Sequence, residues 1–241
     1  MRRLPALLAP LVALAFVVPA IAEPPRLTVL AASSLTDVLA ALDHRERYSF
    51  GGSDQLAFQI RQGAPADVFA AASPKYPEAL YRDGLVEKPR VFATNRLVVI
   101  VPRSNPGRIR SVADLGRPGV RLVVGAVGVP IGDYSRKVLA RLGLLRTALK
   151  NVVSNESDVR GIVGKVALGE ADAGLVYVTD ARSAAGKLRT VSIPAVAQPT
   201  VQYEIAVVRS SRHRLAARGF VGLVLGPDGR RVLAGSGFGL P

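Results

Sequence analysis

The chain has no cysteine. That excludes thiolate metal sites, thiol catalysis and a lipid-modified N-terminus. Histidine occurs only at His44 and His213. Both sit in polar stretches, "DHRER" and "SSRHRL", so a hydrolase would find almost no base to work with. Aromatic residues make up 5%, with none of the basic–aromatic alternation that stacks nucleic-acid bases. The net charge is +14. Even so, the arginines are scattered and no five basic residues are consecutive. This pattern describes a solvated basic surface that favours approaching anions rather than a nucleic-acid interface. G-x-S-x-G, Walker A, G-x-G-x-x-G and H-E-x-x-H are all absent. Beyond the first 22 residues no segment reaches the ~18 continuous apolar residues of a spanning helix.

The first 22 residues form a distinct block. Arg2 and Arg3 are followed by the apolar "ALLAPLVALAFVV" and by Ala20-Ile21-Ala22, an A-x-A pattern. Residues 1–22 are therefore expected to be a signal peptide cleaved near Ala22, leaving a monomer free in a bacterial periplasm. The rest alternates β-rich apolar runs with amphipathic helical runs, which predicts an α/β fold with mostly parallel sheets. "RLTVLAA", "YSFGG" and "ADVFAAAS" read as strands, and Gly63 ends the helix that starts at Ser53. Asp67 is expected to bond to loop amides. Further on, "ADAGLVYVTDA" reads as a strand. Two long runs, "NRLVVIVPR" (Asn95–Arg103) and "VQYEIAVVR" (Val201–Arg209), bracket a middle block. They predict two lobes crossed twice by the chain, with a cleft between them and a hinge. Lobe 1 is expected over 23–99 and 203–241, lobe 2 over 100–202.

Small residues stand where helices begin. "FGGSDQLAFQI" (Phe50–Ile60) and "VLAASSLTDVLAAL" (Val29–Leu42) both run strand, small residues, serine, helix. Similar starts occur at Pro130–Ile131 and Ser157–Val159. The first turn of a helix leaves N–H groups unpaired and carries about half a positive charge, so it can hold an anion without Lys or Arg. Each serine taken singly is equally an ordinary N-cap. It is their recurrence in both halves that points to one anion site. Asp37, Asp54, Asp133 and Asp158 fall near the same turns. Their ordinary role is to favour the helix dipole, and the alternative is a hydrolase or hard-cation site built from carboxylates.

Seven segments in order carry a resemblance: "AASSLTDVL", "FGGSDQLAFQI", "QGAPADVF", "NRLVVIVP", "VPIGDYSRKVL", "SDVRGIV" and "AGLVYVTDA". The chain resembles the periplasmic molybdate-binding proteins of ABC transporters. The resemblance implies a two-lobed type II periplasmic solute-binding fold and no enzymatic activity. It also implies no cofactor beyond the ligand, molybdate or tungstate, and a membrane permease as partner. Carried over by position, it makes Ser34, Ser53 and Tyr177 hydroxyl donors and Ile131 and Val159 backbone N–H donors. Members commonly carry alanine where Ile131 stands, and Asp54 and Asp133 are less typical. Sulfate and phosphate remain alternatives. Phosphate retains a proton near neutral pH (second pKa about 6), so it would gain from an inward-pointing carboxylate.

Overall fold

The computed structural model describes residues 24–241, in which strands and helices alternate along the chain. The expected signal peptide lies outside the described residues. The first lobe is built from β1 (Thr28–Ala32), α1 (Thr36–Leu42), β2 (Arg47–Gly51), α2 (Ser53–Arg61), β3 (Val68–Ala71), α3 (Lys75–Arg82) and β4 (Arg90–Asn95). The second holds β5 (Leu97–Pro102), β6 (Leu122–Gly125), α4 (Pro130–Arg141), α5 (Leu145–Leu149), β7 (Val152–Glu156), α6 (Val159–Ala167), β8 (Ala173–Tyr177), α7 (Val178–Ser183) and β9 (Leu188–Val191). The chain returns to the first lobe through β10 (Val201–Val207), α8 (Arg214–Leu225) and α9 (Pro227–Gly235).

The two sheets have matching plans. The first runs β2-β1-β3-β10-β4 and the second β7-β6-β8-β5-β9. In each, three consecutive strands are parallel, and the strand arriving from the other lobe enters antiparallel beside them: β10 next to β3, β5 next to β8. Helices cover both faces, so β3, β5, β6 and β8 are buried along their whole length and read as unbroken apolar runs. Gly63, at φ 80°, closes α2 in the left-handed conformation expected of a C-terminal glycine.

Four details differ from the sequence reading. The exchange between sheets occurs at Arg96, not after Val99, because β5 pairs with β8 from Leu97 onward. Likewise β10 belongs to the first sheet from Val201, where it pairs with Asn95. The run "ADAGLVYVTDA" is strand only to Tyr177. There Asp180 accepts the Tyr177 N–H at 3.1 Å and starts α7. Asp67 does not serve a local loop. It accepts the Thr28 N–H of β1 at 2.7 Å and the Ser211 hydroxyl, tying two distant segments together.

At the crossings, Gln198 imitates a neighbouring strand. Its side chain accepts the Leu97 N–H at 2.9 Å and donates to the Leu97 carbonyl at 2.8 Å, so the outgoing and returning segments are fastened at the hinge.

Glu204, on β10, is buried and its Oε2 has no hydrogen-bond partner among the described residues. Burial, with Glu78 adding repulsion, pushes its pKa up to about 7. Unfolded glutamate titrates near about 4.3. Between those values the folded state therefore holds the extra proton, and stability falls as pH rises towards 7. Glu204→Gln is expected to gain on the order of 1 kcal/mol relative to the wild type between pH 5 and pH 8. Urea denaturation at both pH values measures the difference. An equal difference at the two values contradicts the assignment.

Candidate anion-binding site

Parallel strands of open α/β sheets end where their helices begin, and ligands bind outside those carboxyl ends. Here the ends from both sheets face one another. β1 runs into the turn at Ser33 and Ser34, β2 through Gly51 and Gly52 into α2, and β3 into Ala72; from the second lobe come the starts of α4 and α6 and the end of β8. Between them lies a cavity whose empty space, open solvent included, is about 200 Å³. Ser34, Ser53, Ile131, Val159 and Tyr177 all line it, so residues up to 143 positions apart (34 to 177) meet at one place. No lysine or arginine is among its described lining residues.

Each donor is prepared by its neighbours. Ser53 is 1% exposed, and its Oγ accepts the Ala72 N–H at 3.1 Å, which leaves its proton free to donate. Ser34 Oγ lies 3.0 Å from the Tyr203 hydroxyl, and Asn95 Nδ2 stands 3.5 Å behind that hydroxyl. With Asn95 donating to Tyr203 and Tyr203 to Ser34, the Ser34 proton is directed away from them. Tyr177 is 1% exposed and its hydroxyl has no partner among the described residues. Edge-on contacts with Tyr134 and Tyr203 fix its ring. Burial raises its pKa well above the ordinary tyrosine value, so it stays a neutral donor.

Two helix starts supply backbone donors. α4 opens with Pro130, and the following Ile131 N–H belongs to the first turn, which has no intrahelical acceptor. A larger side chain there does not alter that donor. At α6, the N-cap Asp158 accepts from Arg160 N and Gly161 N at 2.7 and 3.2 Å. Val159, the first helical residue, is left as the N–H outside the cap.

Of the four aspartates, Asp158 alone lines the cavity. Asp37 pairs with Arg160 at 2.7 Å, and Asp133 accepts the Gly128 N–H at 2.9 Å and faces Lys75 at 3.3 Å. Asp158 caps its own helix. Asp54 is not part of the cavity lining; its Oδ1 is buried without a partner, and burial raises its pKa. No carboxylate pair is set up over a shared centre. No group of three metal-ligating side chains occurs among the described residues.

The lobes are closed on each other. Arg160–Asp37 and Lys75–Asp133 bridge them, and the Tyr76 hydroxyl donates to the Gly128 carbonyl across the cleft. Sequence reasoning missed Tyr203, Asn95 and Arg160. The hydrogen bond between Tyr203 and Ser34 spans 169 residues, and no local pattern encodes such a contact. The alternation of "VQYEIAV", which puts Tyr203 on the same buried face as Val201 and Ile205, was the one available signal.

Comparison with known proteins gives a consistent result. The family model described as bacterial extracellular solute-binding protein matches residues 27–239. The molybdate-binding protein ModA of Mycobacterium tuberculosis is 42% identical over 195 residues, 80% of this chain and 73% of that protein. The molybdate-binding protein ModA of Haemophilus influenzae is 31% identical over 230 residues, 88% of this chain and 89% of the other. Among solved structures, the periplasmic molybdate-binding protein of Azotobacter vinelandii aligns with a TM-score of 0.80 at 26% identity, over 90% of this chain and 100% of that one.

Proposed function

The chain belongs to the bacterial extracellular solute-binding protein family, and we propose that it captures molybdate, or tungstate, between its lobes for delivery to an ABC-transporter permease. The ligand roles of Ser34, Ser53, Ile131, Val159 and Tyr177, the periplasmic setting and the monomeric state are parts of this reading. One observation carries it: among the described residues, a fully buried tyrosine hydroxyl without a partner belongs to the same cavity as two serine hydroxyls and two helix starts, and no cationic side chain lines that cavity. Such a set solvates a small dianion by hydrogen bonds alone. Each bond to a charged group is worth about 1.5–3 kcal/mol, and micromolar affinity needs about 8 kcal/mol, so five donors are of the right size. The mechanism is capture without chemistry. An anion bonded to donors from both lobes favours the closed state by its differential affinity.

The donor set also supports a choice among anions. A protonated phosphate needs an acceptor, and the one carboxylate among the described lining residues, Asp158, already accepts Arg160 N and Gly161 N at Oδ1, which leaves only its Oδ2 for a phosphate proton. A fully ionised oxyanion has no such need. In a calorimetric competition series, molybdate and tungstate are expected to bind one-to-one and to displace each other, while phosphate displaces neither. Phosphate or sulfate binding more tightly than molybdate would overturn the ligand assignment. The absence of heat with all four anions would overturn the site.

A further inference from the structure

Arg160 does not line the cavity, yet it touches both of the cavity's walls. Its backbone follows Val159 at the start of α6 in the second lobe. Its side chain crosses the cleft, where Nη2 donates to Asp37 Oδ1 at 2.7 Å and Nε to the Ser33 carbonyl at 3.3 Å. Ser33 and Ser34 form the turn that presents the first hydroxyl, and the same Ser33 carbonyl accepts the Thr36 hydroxyl at 2.7 Å. One guanidinium thus joins the residue beside the Val159 donor to the residue beside the Ser34 donor.

Resting on the molybdate reading, we infer that Arg160 is a positioning residue: a clasp that forms on closure, sets the Ser33–Ser34 turn against the start of α6, and slows release of the anion. The planar fork of arginine suits this task because two of its N–H groups meet two acceptors on one turn. Lysine at the same place can keep the carboxylate but not both contacts. The partners are about half exposed, with side-chain exposures of 48% and 59%. The ion pair is therefore modest by itself, and the carbonyl contact and the fixed turn add to it. The clasp exists only when the lobes meet, so its loss acts on dissociation. A loss of positive field would act on association instead.

Stopped-flow kinetics with molybdate separate these effects. Arg160→Gln and Asp37→Asn are each expected to speed dissociation about five- to tenfold with association unchanged. The double variant should match either single one, and Arg160→Lys should fall between wild type and Arg160→Gln. Arg61→Gln, which breaks an ion pair with Asp83 inside the first lobe, loses the same charge and should leave dissociation as it is. Unchanged dissociation in Arg160→Gln overturns the clasp, as does an effect that falls on association and is shared by Arg61→Gln. A second readout needs no ligand. Because the chain has no cysteine, one introduced in each lobe carries a distance label cleanly. Without anion, Arg160→Gln should shift the interlobe distances towards the open state, and an unshifted distribution overturns the clasp. If the wild type binds no oxyanion, the ligand reading fails, and the label distances alone decide whether the clasp stands.

Discussion

Gly52→Ala is expected to weaken anion binding about 100-fold while leaving the ligand-free protein as stable as the wild type. Gly52 has φ −65° and ψ 133°, a conformation that any residue adopts, so glycine is not needed for the backbone. It is needed because the other lobe comes so close. A Cβ at this position would collide with the Ser157 carbonyl of the second lobe and lie 2.6 Å from Asp54 Oδ1. The aspartate can turn away. The carbonyl belongs to the turn that starts α6 and can move only by drawing Val159 back. The first lobe therefore folds with alanine, but the lobes cannot shut. Calorimetry combined with ligand-free thermal melting checks this. Equal losses of affinity and of ligand-free stability would show that the glycine serves the fold instead.

Tyr177→Phe is the second large effect. The substitution keeps the ring, and with it the edge contacts to Tyr134 and Tyr203, and removes only the hydroxyl. That hydroxyl has no partner among the described residues, so its loss strands none of their groups and relieves a buried donor left unpaired in the ligand-free closed state. Affinity for molybdate should fall roughly 10- to 100-fold, the worth of one hydrogen bond to a charged group. Ligand-free stability should stay level or rise. Ser53→Ala gives a useful contrast because it also deprives the Ala72 N–H of its acceptor and should cost stability as well as affinity. A Tyr177→Phe protein that binds as the wild type does would remove the phenol from the site.

The lobed α/β plan was legible because strand and helix periodicities alternate cleanly, and the turns at Ser34 and Ser53 stood out by their small residues. Those turns, with the resemblance, led to five residues that the structure brings to one cavity. The lobe boundary was harder to place. Leu97–Pro102 is buried at every position, so it has no polar alternation to reveal which sheet it joins, and only its pairing with β8 decides. The strand reading of "VYVTDA" followed the β-propensity of Val, Tyr and Thr. Asp180, which caps α7 by accepting the Tyr177 N–H, outweighs that propensity. Arg160 and Asp37, 123 residues apart, are neighbours only in the closed molecule, and charge pattern along the chain carries no trace of that.

In the proposed function, neutral hydrogen-bond donors from two facing lobes hold a tetrahedral metal oxyanion. Anomalous diffraction at the molybdenum edge, on crystals grown with molybdate, tests it most directly. One strong peak is expected inside the cleft, with oxyanion oxygens about 2.7–3.2 Å from Ser34 Oγ, Ser53 Oγ, the Tyr177 hydroxyl and the Ile131 and Val159 nitrogens. A molybdenum peak held by surface arginines, with the cleft empty of it, would show that these donors do not hold the anion.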